Sequence, residues 1–502
     1  MEPIHAGASL LAAAQPVPRE LGVEYLEHNA VLPFLVEDGR CLVATWRSGF
    51  EPHVRDDLLL VLGRDFEIVQ HSEEEIRATI QRLYARPARS AEEFLAELAV
   101  SVDPASKGET NVNDLRSLAN EAPVVRLVNL LLLEALEAGA SDVHLEGHEA
   151  GLRVRYRIDG VLQDAPSPPA HLAAAVVSRL KIMADLDIAE RRIPQDGRIR
   201  VRVEDREVDI RVSTMPLLHG ESLVLRLLDR QRGRIGLDEI GMADDTLSAF
   251  RRVIGRPNGI VLVTGPTGSG KTTTLYAAVE ELRSGAEKIV TVEDPVEYAL
   301  PGVCQTPVSP KLGFASALRA LLRQDPDIIL VGEVRDPETA EIALQAALTG
   351  HLVLSTLHTN DAASAITRLL DLGVADYLVA STVSAILAQR LVRKVCANCA
   401  EDIVLEPEML RGLGASEGQV LRGRRGRGCE ACRGTGFRGR TGIYELLAVS
   451  DELRQAIMRH RGAAELGRIG VEGGMRTLRQ DGLQKVLAGL TTAEEVLRVT
   501  SA

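Results

Sequence analysis

The chain has 502 residues, a net charge of −13 and 45% apolar residues. That length predicts about three domains, and an apolar fraction typical of globular proteins excludes bulk disorder. The acidic balance repels phosphate and only 3% of residues are aromatic, which argues against a general binder of nucleic acid or membrane surfaces. Arginine supplies 51 of the 58 cations, so an arginine cluster is weak evidence for a site, whereas a lysine inside a motif stands out. Six cysteines are too few for a disulfide scaffold, and four of them fall in two C-x-x-C pairs.

In chain order, residues 1–100 are expected to form an N-terminal domain. Residues 1–16 lack a basic start and do not read as a signal peptide, which predicts a cytoplasmic protein. The run 58–62 reads as a strand, and 74–84 and 91–98 read as helices. The polar stretch SVDPASKGETNVN opens a linker over 101–119. An apolar helix is expected over 123–139, but Arg126, Asn129 and Glu134 keep it below the ~18–20 residues of a membrane span. Segments 152–157, 198–202, 208–212 and 222–226 alternate apolar with arginine, predicting a second domain (120–235) whose sheet has one apolar and one basic face. From 236 to 502, the runs 260–263, 289–292, 328–331 and 352–354 are continuously apolar and alternate with helical segments. That pattern belongs to a parallel sheet covered on both faces, so the protein is expected to be α/β and multidomain.

Residues 265–272, GPTGSGKT, form a G-x-x-x-x-G-K-T loop between a strand and a helix. Gly265, Pro266, Thr267, Gly268, Ser269 and Gly270 would let backbone N–H groups wrap phosphates. Lys271 would reach the β- and γ-phosphates, and Thr272 would hold Mg²⁺, with Thr273 beside it. Glu333 ends an apolar strand and would supply the metal-side acid at the edge where open α/β sheets bind ligands. Glu293, Asp294 and Glu297 place three carboxylates within five residues, an arrangement that asks for a metal or cations. His351 and His358 bracket one strand, and their spacing alone leaves a structural role as open as a catalytic one.

Cys396, Cys399, Cys429 and Cys432 suit a closed tetrahedral zinc site, against free thiols or a redox pair. The 29 residues between the pairs make 394–436 an insertion that bulges from the C-terminal domain, while Cys41 and Cys304 have no partner by spacing. Residues 421–440 hold seven arginines and one acid, either a solvated face or a contact for anionic headgroups or an acidic partner.

Segments 265–274, 289–298, 325–333 and 349–362 resemble, in order, the Walker A motif, aspartate box, Walker B motif and histidine box of the secretion-superfamily ATPases. These are the motors of type II secretion and of type IV pilus assembly and retraction. The resemblance runs from about residue 120 to the C-terminus and includes ASDVHLE (140–146) and PQDGR (194–198). It implies a RecA-like P-loop motor preceded by a PAS-like α+β domain and a small N-terminal docking domain, with a tetracysteine zinc insertion and a helical tail. ATP, Mg²⁺ and Zn²⁺ are the implied cofactors. Glu333 would be the Walker B glutamate, and Glu297 would act on the lytic water. His358, with His351, would contact phosphate, and Glu293 and Asp294 would lie at the nucleotide. Arg211 and Arg226, from the domain before the motor, would also reach the nucleotide. The cysteines resemble assembly rather than retraction motors, and the tail 476–500 and compact N-terminal region resemble the type II secretion branch. That branch implies a homohexamer that drives pseudopilus assembly. It would be held peripherally at the inner membrane by the cytoplasmic domain of a secretion protein and by a platform protein, without nucleic acid. A pilus-extension ATPase and a nucleic-acid translocase on the same core are the alternatives.

Overall fold

The computed structural model describes residues 4–5, 11, 15–17, 23–36, 40–47, 52–84, 91, 95, 119, 121–203, 206–229, 235–415 and 421–501. The chain divides into two units, residues 1–108 and 109–502. The expected linker, apart from residue 119, and the expected helix 91–98, apart from residues 91 and 95, lie outside the described residues.

The first unit contains β1 (Ile4–His5), β2 (Gln15–Pro16), β3 (Val31–Leu35), β4 (Cys41–Thr45) and β5 (Glu67–Gln70), in the order β1-β5-β4-β3-β2. Helices α1 (Val23–Asn29), α2 (Pro52–Leu62) and α3 (Glu73–Tyr84) accompany it. β3 and β4 form an antiparallel hairpin, whereas β4 and β5 are parallel and need α2 as their crossover. The run 58–62 is therefore not a strand but the end of α2. Val54 and Leu58 are buried one helical turn apart while Leu60 is 79% exposed, a 3.6-residue period that a five-residue apolar run could not reveal.

The second unit opens with α4 (Ala122–Glu137). A six-stranded antiparallel sheet follows, made of β6 (Ala140–His148), β7 (Gly151–Ile158), β8 (Val161–Ala165), β9 (Gln195–Val203), β10 (Arg206–Leu217) and β11 (Gly220–Asp229), in the order β8-β7-β6-β11-β10-β9. Its inner face is built from Val143, Leu145, Tyr156, Ile210, Val212, Leu223 and Leu225. That face packs against α4 and α5 (Ala173–Met183). The Tyr156 hydroxyl donates to the Leu131 carbonyl at 2.9 Å, so the one polar atom on that buried ring is satisfied. The outer face carries the arginines, as the alternation predicts.

The seven-stranded sheet comprises β12 (Gly259–Thr264), β13 (Ile289–Glu293), β14 (Cys304–Pro307), β15 (Ile328–Val331), β16 (Leu352–Leu357), β17 (Val383–Val395) and β20 (Phe437–Ala448). The order is β14-β13-β15-β16-β12-β17-β20, all parallel except β20. β12 and β16 are buried at every residue, and β17 along its first eight, because both faces are covered. Helices α6 (Asp244–Ile254) and α7 (Lys271–Leu282) lie on one side, with Phe250 and Tyr276 fully buried. Helices α8 (Phe314–Leu321), α9 (Pro337–Leu348), α10 (Ala362–Asp371) and α11 (Asp376–Thr382) lie on the other. From β12 the chain runs outward to β13 on one side, and from β16 it crosses to β17 on the other. The loop after β12 therefore sits at the topological switch point, where a crevice opens.

Between β17 and β20 a two-stranded hairpin, β18 (Ala400–Val404) with β19 (Arg422–Gly426), is added together with α12 (Pro407–Gly412). The tail folds as α13 (Asp451–Met458), α14 (Ala463–Glu472), α15 (Leu478–Leu487) and α16 (Ala493–Thr500). Buried polar contacts fix it to β20. Lys485 pairs with Asp481 at 2.8 Å and donates to the Gly442 carbonyl, while Asp481 accepts from the Tyr444 amide at 3.0 Å. Glu445 accepts from the amides of Ala362 and Leu478, binding the starts of α10 and α15 to one strand. Gly482 permits the closest contact, since a Cβ there would lie 2.3 Å from Val496 Cγ1.

Candidate nucleotide site and cysteine centre

The loop after β12 turns through three glycines in the left-handed region, Gly265, Gly268 and Gly270, the last capping α7. At Gly265 a Cβ would lie 2.6 Å from both the Gln389 carbonyl and Ser269 Oγ, so the loop closes tightly enough to forbid a side chain. Pro266, Thr267, Gly268 and Thr272 are exposed, and Ser269 and Lys271 are buried. Ser269 Oγ is buried with no hydrogen-bond partner among the described residues, a polar atom directed into a loop built for an anion. Lys271 Nζ folds back onto the carbonyls of Gly265 (2.8 Å) and Pro266 (3.0 Å), a pose that phosphate oxygens would replace. Burial pushes the Lys271 ammonium down to about 8, with Arg390 adding to the shift and the Glu333 carboxylate opposing it.

This shift has a measurable consequence. Phosphates restore the charged form of Lys271, so ATP binding above pH about 8 should take up a proton, and affinity should fall as pH rises from about 7 to about 9. Calorimetry in two buffers of different ionisation enthalpy reads the uptake directly, and equal heats in the two buffers would contradict it.

Gln389 on β17 was not legible as a site residue. It is buried, its amide donates to the Ser269 carbonyl at 2.7 Å, and it accepts from the Thr274 hydroxyl at 2.8 Å. It thus braces the loop from the neighbouring strand. Arg390, on the opposite face of β17, donates to the carbonyl and side chain of Asn360, within the histidine segment. The available signal was a Gln-Arg pair inside an otherwise apolar strand, because burying such groups costs free energy unless they are partnered.

Glu333 leaves the end of β15 with 11% of its side chain exposed. Its oxygens meet Arg335 at 2.7 Å and His358 Nε2 at 3.2 Å. His358 follows β16, the strand between β15 and β12, so Glu333, His358 and Lys271 share the C-terminal edge of the sheet. His351 does not join them. It precedes β16, its carbonyl accepts from the Gly259 amide at the start of β12, and its Nδ1 lies 2.9 Å from the Ala346 carbonyl. Six strand residues at ~3.3 Å each separate it from His358. Within one chain His351 therefore stands at the opposite end of β16 from His358 and Lys271, hydrogen-bonded at the start of β12 and to α9.

The acidic segment divides in two. Glu293 is buried and accepts from Tyr276, from Thr291 at 2.6 Å and from Gln305 at 3.1 Å. These contacts make it a brace for the turn, set against α7 by Tyr276. Asp294 and Glu297 are exposed beyond the end of β13, on the same sheet edge as Glu333. The Glu297 amide donates to the Tyr276 hydroxyl at 3.4 Å.

In the preceding domain Arg211 and Arg226 are direct cross-strand partners, and the row continues in both directions as Arg198-Arg211-Arg226-Asp142-Arg157. Cross-strand partners share a face, so four guanidinium groups line one row, where like charges repel. The outer ones are drawn to acids: Arg198 to Asp209, Arg226 to Asp142 at 3.2 Å and Arg157 to Asp142 at 3.8 Å. Arg211 has no ion-pair partner among the described residues, leaving its charge available to an external anion.

The four cysteine sulfurs lie within 4.8 Å of one another. Cys396–Cys429 and Cys399–Cys432 are each 3.9 Å apart and Cys429–Cys432 is 3.7 Å. Such spacings are far too long for disulfides and match the edges of a tetrahedron of thiolates about 2.3 Å from a central Zn²⁺. Backbone amides of Gly428, Cys429 and Gly436 point at the Cys399 and Cys432 sulfurs from 3.1–3.3 Å, the outer-shell donors that thiolate ligands need. The donor set therefore fits zinc. In the neighbouring hairpin Arg424 and Arg427 pair with Asp402 and Glu401, and Arg440 pairs with Asp159, so part of the basic segment is internally neutralised.

A family model described as Type II/IV secretion system protein matches residues 117–498, and one described as MshEN domain matches residues 7–90. The chain is 49% identical over 492 residues to type II secretion system protein E of Xanthomonas campestris pv. campestris, covering 97% of this chain and 85% of that one. It is 45% identical over 494 residues to the protein of the same description from Pseudomonas aeruginosa, covering 98% of each chain. To type II secretion system ATPase E of Vibrio cholerae it is 46% identical over 450 residues, or 88% of each chain. Among solved structures, the pilus retraction motor PilT with bound ADP superposes with a TM-score of 0.51 at 28% identity, over 74% of this chain and 96% of that one. The ATPase DotB of Yersinia pseudotuberculosis reaches a TM-score of 0.58 at 20% identity over 75% and 93%, a likeness of fold.

Proposed function

The chain belongs to the type II/IV secretion system protein family, and from that premise we propose that it is the hexameric ATPase motor of type II secretion, hydrolysing ATP to power pseudopilus assembly. The observation that carries the chemistry is the meeting of Lys271, Glu333 and His358 at one edge of the parallel sheet, beside a loop shaped for phosphates.

The loop amides and Lys271 hold the β- and γ-phosphates, and Thr272 with Glu333 would hold Mg²⁺, which neutralises the phosphate charge. Glu297, exposed beyond the end of β13, orients the attacking water. His358, tied to Glu333, contacts the γ-phosphate, so phosphate release is felt by both residues at once. Arg211 and Arg226 stabilise charge on the transferring phosphoryl group, and having no ion-pair partner among the described residues suits Arg211 to that role. The first unit, matched by its own family model, docks on the cytoplasmic part of an inner-membrane secretion protein. Among the described residues no helix is long and apolar enough to cross a membrane, which fits peripheral attachment.

Arg211→Ala tests the motor reading in the assembled protein. Turnover should fall by about 10²-fold while nucleotide affinity changes by less than about threefold, because the guanidinium acts on charge that develops in the transition state. Equal losses in kcat and affinity would reduce Arg211 to a binding residue.

A further inference from the structure

The parallel ladder between β12 and β16 ends at the pair Thr264–Leu357, one residue before Gly265 on the first strand and one before His358 on the second. Beyond that pair one strand enters the phosphate loop and the other the segment that carries His358. A side chain continues the pairing. The hydroxyl of Thr264, a fully buried residue, accepts from the Thr359 amide at 2.8 Å. The Thr359 hydroxyl donates to the Asp361 carbonyl at 3.0 Å, so Thr264 is the donor in the 2.8 Å contact between the two hydroxyls. One buried hydroxyl thus commits both a lone pair and its proton to the residue beside the histidine.

The same segment is fastened further on. Arg390 of β17 donates to Asn360, and Asp361 caps α10 by accepting from the Ser364 amide at 2.7 Å. Glu333 is set from the other flank of β16 in a similar way. The Thr356 hydroxyl donates to the Gly332 carbonyl at 2.7 Å, and the Val334 amide donates to the Thr356 carbonyl at 3.0 Å. Hydroxyls are buried in apolar strands only when they are partnered, and here each partner lies beside a group of the site. With both flanks held, the 3.2 Å approach of His358 Nε2 to Glu333 is set by backbone position. Less entropy is then lost when the pair meets a phosphate.

Resting on the ATPase reading above, we propose that Thr264 is a positioning residue for the reaction: its hydroxyl clasps Thr359 and so fixes His358 against Glu333, in register with the phosphate loop. The hydroxyl is committed to Thr359, so it acts through His358 and not on the nucleotide. Because Thr264 adjoins Gly265, a displacement of the loop by phosphates moves the clasp and the histidine together.

The test uses the full-length chain. Thr264→Val keeps the side-chain shape and removes the hydroxyl, whereas Thr264→Ser keeps the hydroxyl. ATP turnover is measured alongside the NMR signals of the eleven isotope-labelled imidazoles, the His358 signal being identified by its loss in His358→Ala. Thr264→Val should lower kcat about tenfold, leave KM within about twofold and shift the His358 signal, at a melting temperature within a few degrees of the wild type. Thr264→Ser should restore kcat to within about twofold and return the signal to its place. Thr359→Val attacks the clasp from its more exposed side and should repeat the pattern at about threefold, so it carries the test should Thr264→Val not fold. Unchanged kcat and an unmoved His358 signal in the valine variants would overturn the proposal. So would a serine variant as impaired as the valine one, or a rise in KM matching the fall in kcat, which would place the effect in packing or in the loop. A wild type without turnover would sink the ATPase reading instead, and the His358 signal would still judge the clasp.

Discussion

Lys271→Ala should abolish ATP hydrolysis, lowering turnover by on the order of 10³-fold or more in the purified protein. The side chain sits in a loop with three left-handed glycines, and among the described residues it donates to the carbonyls of Gly265 and Pro266. Truncation therefore removes the loop's cation from the phosphates without breaking an ion pair, and the fold should survive. A melting temperature within a few degrees of the wild type, together with lost turnover, is the expected pair of results. Retained turnover at an unchanged melting temperature would remove the motor assignment.

Replacing Cys396 and Cys429 with serine should remove one zinc per chain by elemental analysis. Two ligands of four are lost, one from each pair, and a tetrahedral thiolate site does not survive as a pair of lone thiols. Metal supplies much of the folding free energy of small cysteine-held elements, and the two cysteine pairs sit where the Cys396 amide meets the Gly436 carbonyl and the Arg427 amide meets the Cys399 carbonyl. Limited proteolysis should therefore cut the variant within 396–436 while the parallel sheet stays intact. Absence of zinc from the wild-type protein would end the metal assignment.

The sequence made the motor legible because its chemistry is local. The phosphate loop, the acid after β15 and the histidine after β16 each announce themselves within a few residues, and continuous apolar runs declare a buried parallel sheet. The cysteine set was legible for the same reason, spacing within each pair being informative even when the pairs stand far apart. What escaped was long-range or ambiguous in period. Gln389 reaches a loop 120 residues earlier in the chain, and only the adjacency of β12 and β17 reveals it. His351 and His358 look equivalent in sequence, yet a parallel strand sends them to opposite edges. Glu293 and Glu297 look equivalent too, until Tyr276, Thr291 and Gln305 are seen to claim the first. Five apolar residues carry no period, so the run 58–62 hides a helix that burial at Val54 and Leu58 reveals. The arginine row needed register, since Arg198, Arg211, Arg226 and Arg157 lie on four different strands.

β17 carries a constraint of another kind. Gln389 braces the phosphate loop near its middle, and Cys396 follows directly after its last residue. The interval is a fixed ruler of seven residues, roughly 23 Å at ~3.3 Å each. Deleting or inserting one residue within it would turn every later side chain to the opposite face, withdrawing either the brace or the first sulfur. Length changes in related chains should therefore spare this interval and collect beyond Cys399, and hybrids joining one motor to another's insertion should cross over after Cys399, leaving the ruler uncut.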